Sequence, residues 1–115
     1  MTGVNAFRLL LAMAWVLVIY VSVHALSEMG ASTAGAIFFG DMSHPWRGQF
    51  NTDFGLHLLM VGAWMIYRAR TLALGLLWGV LAVLLGGAFT FAYLLIVSVK
   101  VEGDARRLLL GRHAL

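Results

Sequence analysis

Apolar and polar positions fall in long blocks along this chain. Residues 9–26, LLLAMAWVLVIYVSVHAL, carry no formal charge. At 1.5 Å per residue they extend roughly 27 Å, close to the hydrocarbon thickness of a bilayer. The block predicts a first membrane-spanning helix. A cleaved signal peptide is the competing reading, because Val23, His24 and Ala25 form a tolerable small-residue cleavage pattern, although the run is long for one. A second block, 54–67, opens after Asn51, Thr52 and Asp53, all good helix-capping residues, and stops at Arg68. With its capped turn and a snorkelling arginine stem it predicts a span over about 52–68. A third block, 72–99, is free of charge up to Lys100. As one helix it would extend roughly 42 Å, longer than the hydrocarbon core and too short for two spans.

Between the first two blocks lie residues 27–51. The part 27–40 is rich in Gly and Ala and ends in Ile37, Phe38 and Phe39, which suits an interfacial turn or short in-plane helix. Residues 40–53, GDMSHPWRGQFNTD, form the longest polar interval before the tail and hold the only proline. Pro45 ends or bends what precedes it and biases His44 toward extended backbone. Residues 100–115 predict a short amphipathic tail on the membrane surface, weakened by Gly103 and Gly111. The expected architecture is all-α: one integral membrane domain over 1–115, a transmembrane three-helix bundle with an interfacial loop or short helix between helices 1 and 2.

Composition supports lipid as the solvent. Hydrophobic residues make up 62% of the 115 and charged residues 11%, against about 45–50% and about 25% in soluble domains. A domain this small has too much surface to hide such an excess. Formal charge is +3, but the basic residues are scattered. Arg106, Arg107 and Arg112 sit in a leucine-rich tail that suits anionic headgroups, and nucleic acid is not an expected partner. The absence of cysteine excludes disulfides, thiolate metal sites, iron–sulfur clusters and covalent haem attachment. Orientation is in conflict. With three spans, the N-terminal amine, Arg8, Arg68 and Arg70 share one side, and Arg47, Lys100 and the tail arginines share the other. The first helix and the tight hairpin favour N-in and C-out, with 40–53 on the outer face.

Within the third block, Gly75, Gly79, Gly86 and Thr90 share a small-residue face that would let helix backbones approach, with Gly55 and Gly62 as a matching strip. Trp64, Tyr67 and Trp78 read as an interfacial aromatic belt. The candidate chemistry is an ionisable constellation. His24 and Glu28 are four apart at the exit of the first helix, and Asp53 and His57 are four apart at the start of the second. This spacing puts both members of a pair on one helix face. Those four residues could ligate a divalent metal. His24 and His57 could be axial ligands of a b-type haem, or the group could relay protons or bind a quinone headgroup. Structural roles compete with each of these, and no cofactor is expected on balance. His44, Trp46 and Arg47 are loop candidates for partner contact. No nucleotide-binding loop, nucleophile elbow or zinc-protease motif is present.

Several segments together resemble a class of small three-span proteins of the bacterial inner membrane. They are Ile37-Phe38-Phe39, His44-Pro45-Trp46, residues 50–54, residues 64–70, Trp78 and residues 86–91. That class often has a proline after the aromatic pair of the third helix, where this chain has Ala92. The resemblance implies an inner-membrane location and three spans, but no activity and no site residues. The functional expectation is a non-enzymatic accessory or stabilising subunit of a larger membrane complex, or a small independent membrane factor. The lipid bilayer and a larger assembly or homo-oligomer would be its partners. A redox or metal component using His24 and His57, and an oligomeric small transporter, are the alternatives.

Overall fold

The computed structural model describes residues 2–114. Met1 and Leu115, which belong to the predicted N-terminal flank and tail, lie outside it. Among the described residues the chain is entirely helical, with six α-helices, two 3-10 turns and no strand.

Helix α1 spans Gly3–Met29, longer at both ends than the apolar block alone. Thr2 caps it by accepting from the Asn5 amide, and Gly30, at φ +80°, ends it. It is the one described helix long and apolar enough to cross a membrane. Helix α2, Thr33–Gly40, supplies the expected short helix, and a 3-10 turn over Asp41–Ser43 follows.

Helix α3 spans Pro45–Arg68, so it starts seven residues before the predicted 52. The reason is local. Pro45 occupies the first helical turn, where its fixed φ helps and its missing N–H costs nothing. His44, extended at φ −89° and ψ 123°, caps the helix by accepting from the Arg47 amide at 3.2 Å through Nδ1. Asn51, Thr52 and Asp53 therefore lie inside the helix.

The 72–99 block is not one helix. It divides into α4, Leu72–Leu85, and α5, Gly87–Lys100. Gly86 stands between them at φ +58° and ψ −135°, a backbone region that L side chains occupy only under strain. The chain folds back there. Trp78 of α4 stacks on Phe89 of α5 at 5.9 Å between ring centroids, and Tyr93 packs beside both. Each arm of this hairpin is roughly 21 Å long. Gly86 is thus the hinge of the block, and it lies against Phe54 and Leu58 of α3.

Two antiparallel pairs form the body. In α3 and α4, Gly62 and Gly79 meet so closely that a Cβ on either would lie 3.1–3.2 Å from the other's carbonyl. At Gly75 a Cβ would lie 2.8 Å from the Ile66 Cα. The predicted strip is therefore used at Gly62, Gly75 and Gly79, whereas a Cβ at Gly55 would meet open space. In α1 and α5, the Trp15 indole donates to the Ala88 carbonyl at 2.9 Å and Arg8 reaches Ser98. Gly87 lies against Val18, so α1 continues beyond the hairpin turn from Ile19 onward.

Helix α6, Ala105–Leu110, is capped by the Asp104 carboxylate, which accepts from the Arg106 and Arg107 amides. A 3-10 turn over Gly111–His113 follows. The tail returns to α3 and the start of α1. The core is small and lies toward this end, with Met65, Ala69, Val97 and Val101 buried. Most of α1 faces outward, and only 6% of its most apolar window is buried.

Candidate functional site

Because α5 doubles back, both ends of the 72–99 block come to one end of the molecule. Arg8, Arg68, Arg70, Lys100, Arg106, Arg107 and Arg112 all gather there, seven of the eight Lys and Arg residues. Arg47 alone stands at the opposite end. The charge conflict of the three-span reading disappears once the block is a hairpin.

Arg68 organises this basic end. Its Nε donates to the Leu108 carbonyl at 2.8 Å, Nη1 to the Tyr93 hydroxyl at 2.8 Å and Nη2 to the Arg107 carbonyl at 3.3 Å. Its guanidinium carbon lies 5.8 Å from the ring centroids of both Trp64 and Tyr93, within the range of cation–π attraction. The Trp64 indole donates to the Leu109 carbonyl at 2.8 Å, and Tyr67 stacks on His113 at 4.2 Å. Gly111, at φ +54°, lies so close to the Arg68 carbonyl that a Cβ would overlap it. Of the predicted aromatic belt, Trp64 and Tyr67 hold the tail, and Trp78 stacks on Phe89 instead. Arg8 is the second tie. It donates from Nε to Ser98 Oγ at 3.2 Å and from Nη2 to the Ser98 carbonyl at 3.0 Å, and Ser98 is 1% exposed. Among the described residues every acceptor of Arg68 is neutral.

Between α4 and α5 the basic end opens into a cleft of about 580 Å³. Trp78, Phe89 and Tyr93 line it below, Leu74 and Ile96 line its sides, and Arg68, Arg70 and Lys100 line its mouth. No acidic residue lines it. Among the described residues, the Arg70 and Lys100 side chains make no hydrogen bond and no ion pair.

The sequence-predicted constellation lies at the opposite end. Asp53 and His57 form their i, i+4 pair, with His57 Nδ1 3.0 Å from Asp53 Oδ1 and 2.7 Å from the Asp53 carbonyl oxygen. Both are exposed, the His57 side chain at 76%. His24 and Glu28 are exposed and form no ion pair. The four residues do not assemble. Among the described residues no three His, Asp or Glu side chains are grouped to hold a metal ion. The cause is topological: α1 packs on α5 and α3 on α4, so the outer arms carrying His24 and His57 share no substantial contact. In the loop, His44 is the helix cap, Arg47 pairs with Asp41 at 3.0 Å, and Trp46 is exposed beside Phe50.

Arg8, Arg68, Arg70, Tyr93, Ser98 and Lys100 were not legible as a site from spacing. One signal pointed to them. The Gly86–Gly87 pair bisects the 28-residue block, and a fold there brings its basic flanks together. No family model, no curated protein and no solved structure matches this chain.

Proposed function

We propose that this chain is a small integral protein of a bacterial-type inner membrane, acting without catalysis as an accessory or stabilising subunit of a larger membrane assembly. The carrying observation is α1. Its 27 residues extend roughly 40 Å, and Leu11 is its one buried residue. A helix apolar all round and exposed nearly everywhere belongs in lipid or against other membrane helices. In this reading α1 crosses the bilayer. Helix α3, roughly 36 Å long but apolar only over 54–67, crosses beside it, with its polar first turns in the outer headgroup layer and the Arg68 stem reaching the inner one. Helices α4 and α5, each too short for a core of about 30 Å, enter and leave from the basic end. Irregular backbone at Gly86 is tolerable at depth because protein covers it, with Phe54 and Leu58 of α3 alongside. The concentration of Lys and Arg supports a cytoplasmic basic end. This revises the C-out expectation of the three-span reading: both chain ends lie inside, and residues 40–53 lie outside.

The chain lacks cysteine, so single cysteines report topology directly. An impermeant maleimide applied to intact cells is expected to label Ser43→Cys. Thr2→Cys and Glu102→Cys should react only after lysis. Labelling of Glu102→Cys in intact cells would sink the two-crossing arrangement, and release of the wild-type chain by alkaline carbonate would sink the integral reading. The subunit role predicts migration well above the 12.6 kDa chain mass on a native gel of mildly solubilised membranes. A particle of one chain plus detergent would remove that role.

A further inference from the structure

The geometry points to the α4–α5 cleft as a binding site for one anionic phospholipid, its phosphodiester between Arg70 and Lys100 and an acyl chain on Trp78 and Phe89. This rests on the membrane reading above, which puts the mouth of the cleft at the cytoplasmic headgroup layer.

Three features converge. The first is charge. Arg68, Arg70 and Lys100 ring the mouth and no carboxylate lines the cleft. Three of the five Arg68 N–H donors are committed to two backbone carbonyls and a phenol, so Arg68 is held in place and contributes chiefly its field. Arg70 and Lys100 keep their donors free. A guanidinium fork beside an ammonium matches the oxygens of a phosphodiester. The second feature is polarity along the depth. Below the cations the lining turns apolar through Leu74 and Ile96 to the stacked Trp78 and Phe89. That sequence of head and tail is the profile of an amphiphile. The third feature is size. A cleft of about 580 Å³ falls within the range of small-molecule sites, roughly 300–1,000 Å³. Inorganic phosphate would leave the aromatic lower part empty. A zwitterionic lipid would bring its own ammonium group to a mouth already lined by three cations. Basic residues at the cytoplasmic interface attract anionic lipid generally; here two of them line the same cleft as an apolar, aromatic surface.

The test uses the intact chain, delipidated in mild detergent and placed in nanodiscs of phosphatidylcholine containing a minor fraction of phosphatidylglycerol. Native mass spectrometry reads the retained lipid. Wild type is expected to retain one phosphatidylglycerol with about tenfold or greater preference over phosphatidylcholine. The double variant Arg70→Gln/Lys100→Gln should lose that preference. Arg106→Gln/Arg112→Gln, which removes the same charge from the same end but outside the cleft, should keep it. In a chain with Trp15, Trp46 and Trp64 changed to Phe, phosphatidylglycerol brominated on its acyl chain should quench Trp78, and brominated phosphatidylcholine should quench it far less. Equal retention of both lipids, or equal loss in both double variants, would overturn the site while leaving the membrane reading intact. Displacement of the lipid by millimolar inorganic phosphate would show a free-anion site and also overturn it. A chain that stays monodisperse in water without detergent would instead overturn the membrane reading on which the proposal stands.

Discussion

Arg68 and Arg47 stand at opposite ends of this molecule and are held by opposite means. Arg47 meets a carboxylate, Asp41, at 3.0 Å in the open, with its own side chain 57% exposed. Among the described residues Arg68 meets no carboxylate. It is surrounded by two carbonyls, a phenol and two aromatic faces, and it fastens α6 to α3 and α5. The same contrast runs through the rest of each end. Around Arg68, glycines bring α3 and α4 together, Arg8 ties α1 to a buried serine, and aromatic rings join α4 to α5. Around Arg47, helix ends and a short helix project with their polar groups in the open. A formal ion pair is thus the weaker tie, because water competes for both partners. Neutral acceptors that are already half buried make the stronger one.

This comparison is broken most easily with glycine. Gly75→Leu should destabilise the fold by about 3 kcal/mol, since the new side chain meets the Ile66 backbone and only a shift of α4 accommodates it. Gly55→Leu, in the open half of α3, should stay within about 0.5 kcal/mol of wild type. Unfolding midpoints in mild detergent check the pair, and equal losses would mean the outer half is packed as tightly as the inner. Next comes the arginine contrast. Arg68→Met should cost about 2 kcal/mol through its hydrogen bonds and expose residues 104–114 to limited proteolysis. Arg47→Ala should cost less than about 1 kcal/mol and leave the tail protected. An unchanged cleavage pattern in Arg68→Met would remove the arginine as the fastener of the tail. The smallest of the three losses is expected at the hinge. Gly86→Ala should cost about 1 kcal/mol, because φ +58° with ψ −135° strains an L side chain, and keep the hairpin. Spin labels at positions 74 and 97 read this directly, because both positions line one cleft in the hairpin. A jump to about 35 Å would mean that a straight helix had replaced it.

The helical class, the presence of α1, the end of α3 at Arg68 and the short helix after α1 were all legible in the blocks of apolar residues, although α1 runs past its block at both ends. So was half of the glycine strip, because only small residues permit backbones to approach. The start of α3 was missed because three good caps at 51–53 outweighed a proline whose position at a first helical turn is equally informative. The hinge was missed for a deeper reason. Glycines are tolerated within apolar helices, and hydrophobicity alone does not distinguish a straight 28-residue helix from two of 14 folded together. The site followed from the hinge. With a straight helix, Arg70 and Lys100 lie at opposite ends; with the fold at Gly86 they share one mouth. The His and Asp spacing correctly paired Asp53 with His57, but spacing within a helix says nothing about whether two helices meet. Here α1 and α3 each have another partner.

The ties of Arg8 and Arg68 also set an order in time. Arg8 bonds a residue 90 positions later and Arg68 one 40 positions later. At roughly 5–20 residues per second of synthesis, α1 waits several seconds for α5, and α3 waits for α6. During that interval both guanidinium groups lack the acceptors they will finally use, and the inner stripe of α1 is bare. The fold closes backward from its last-made residues. A chain halted before Ser98 would display the same first helices with neither the Arg8–Ser98 tie nor the Arg68 bonds to α6 made.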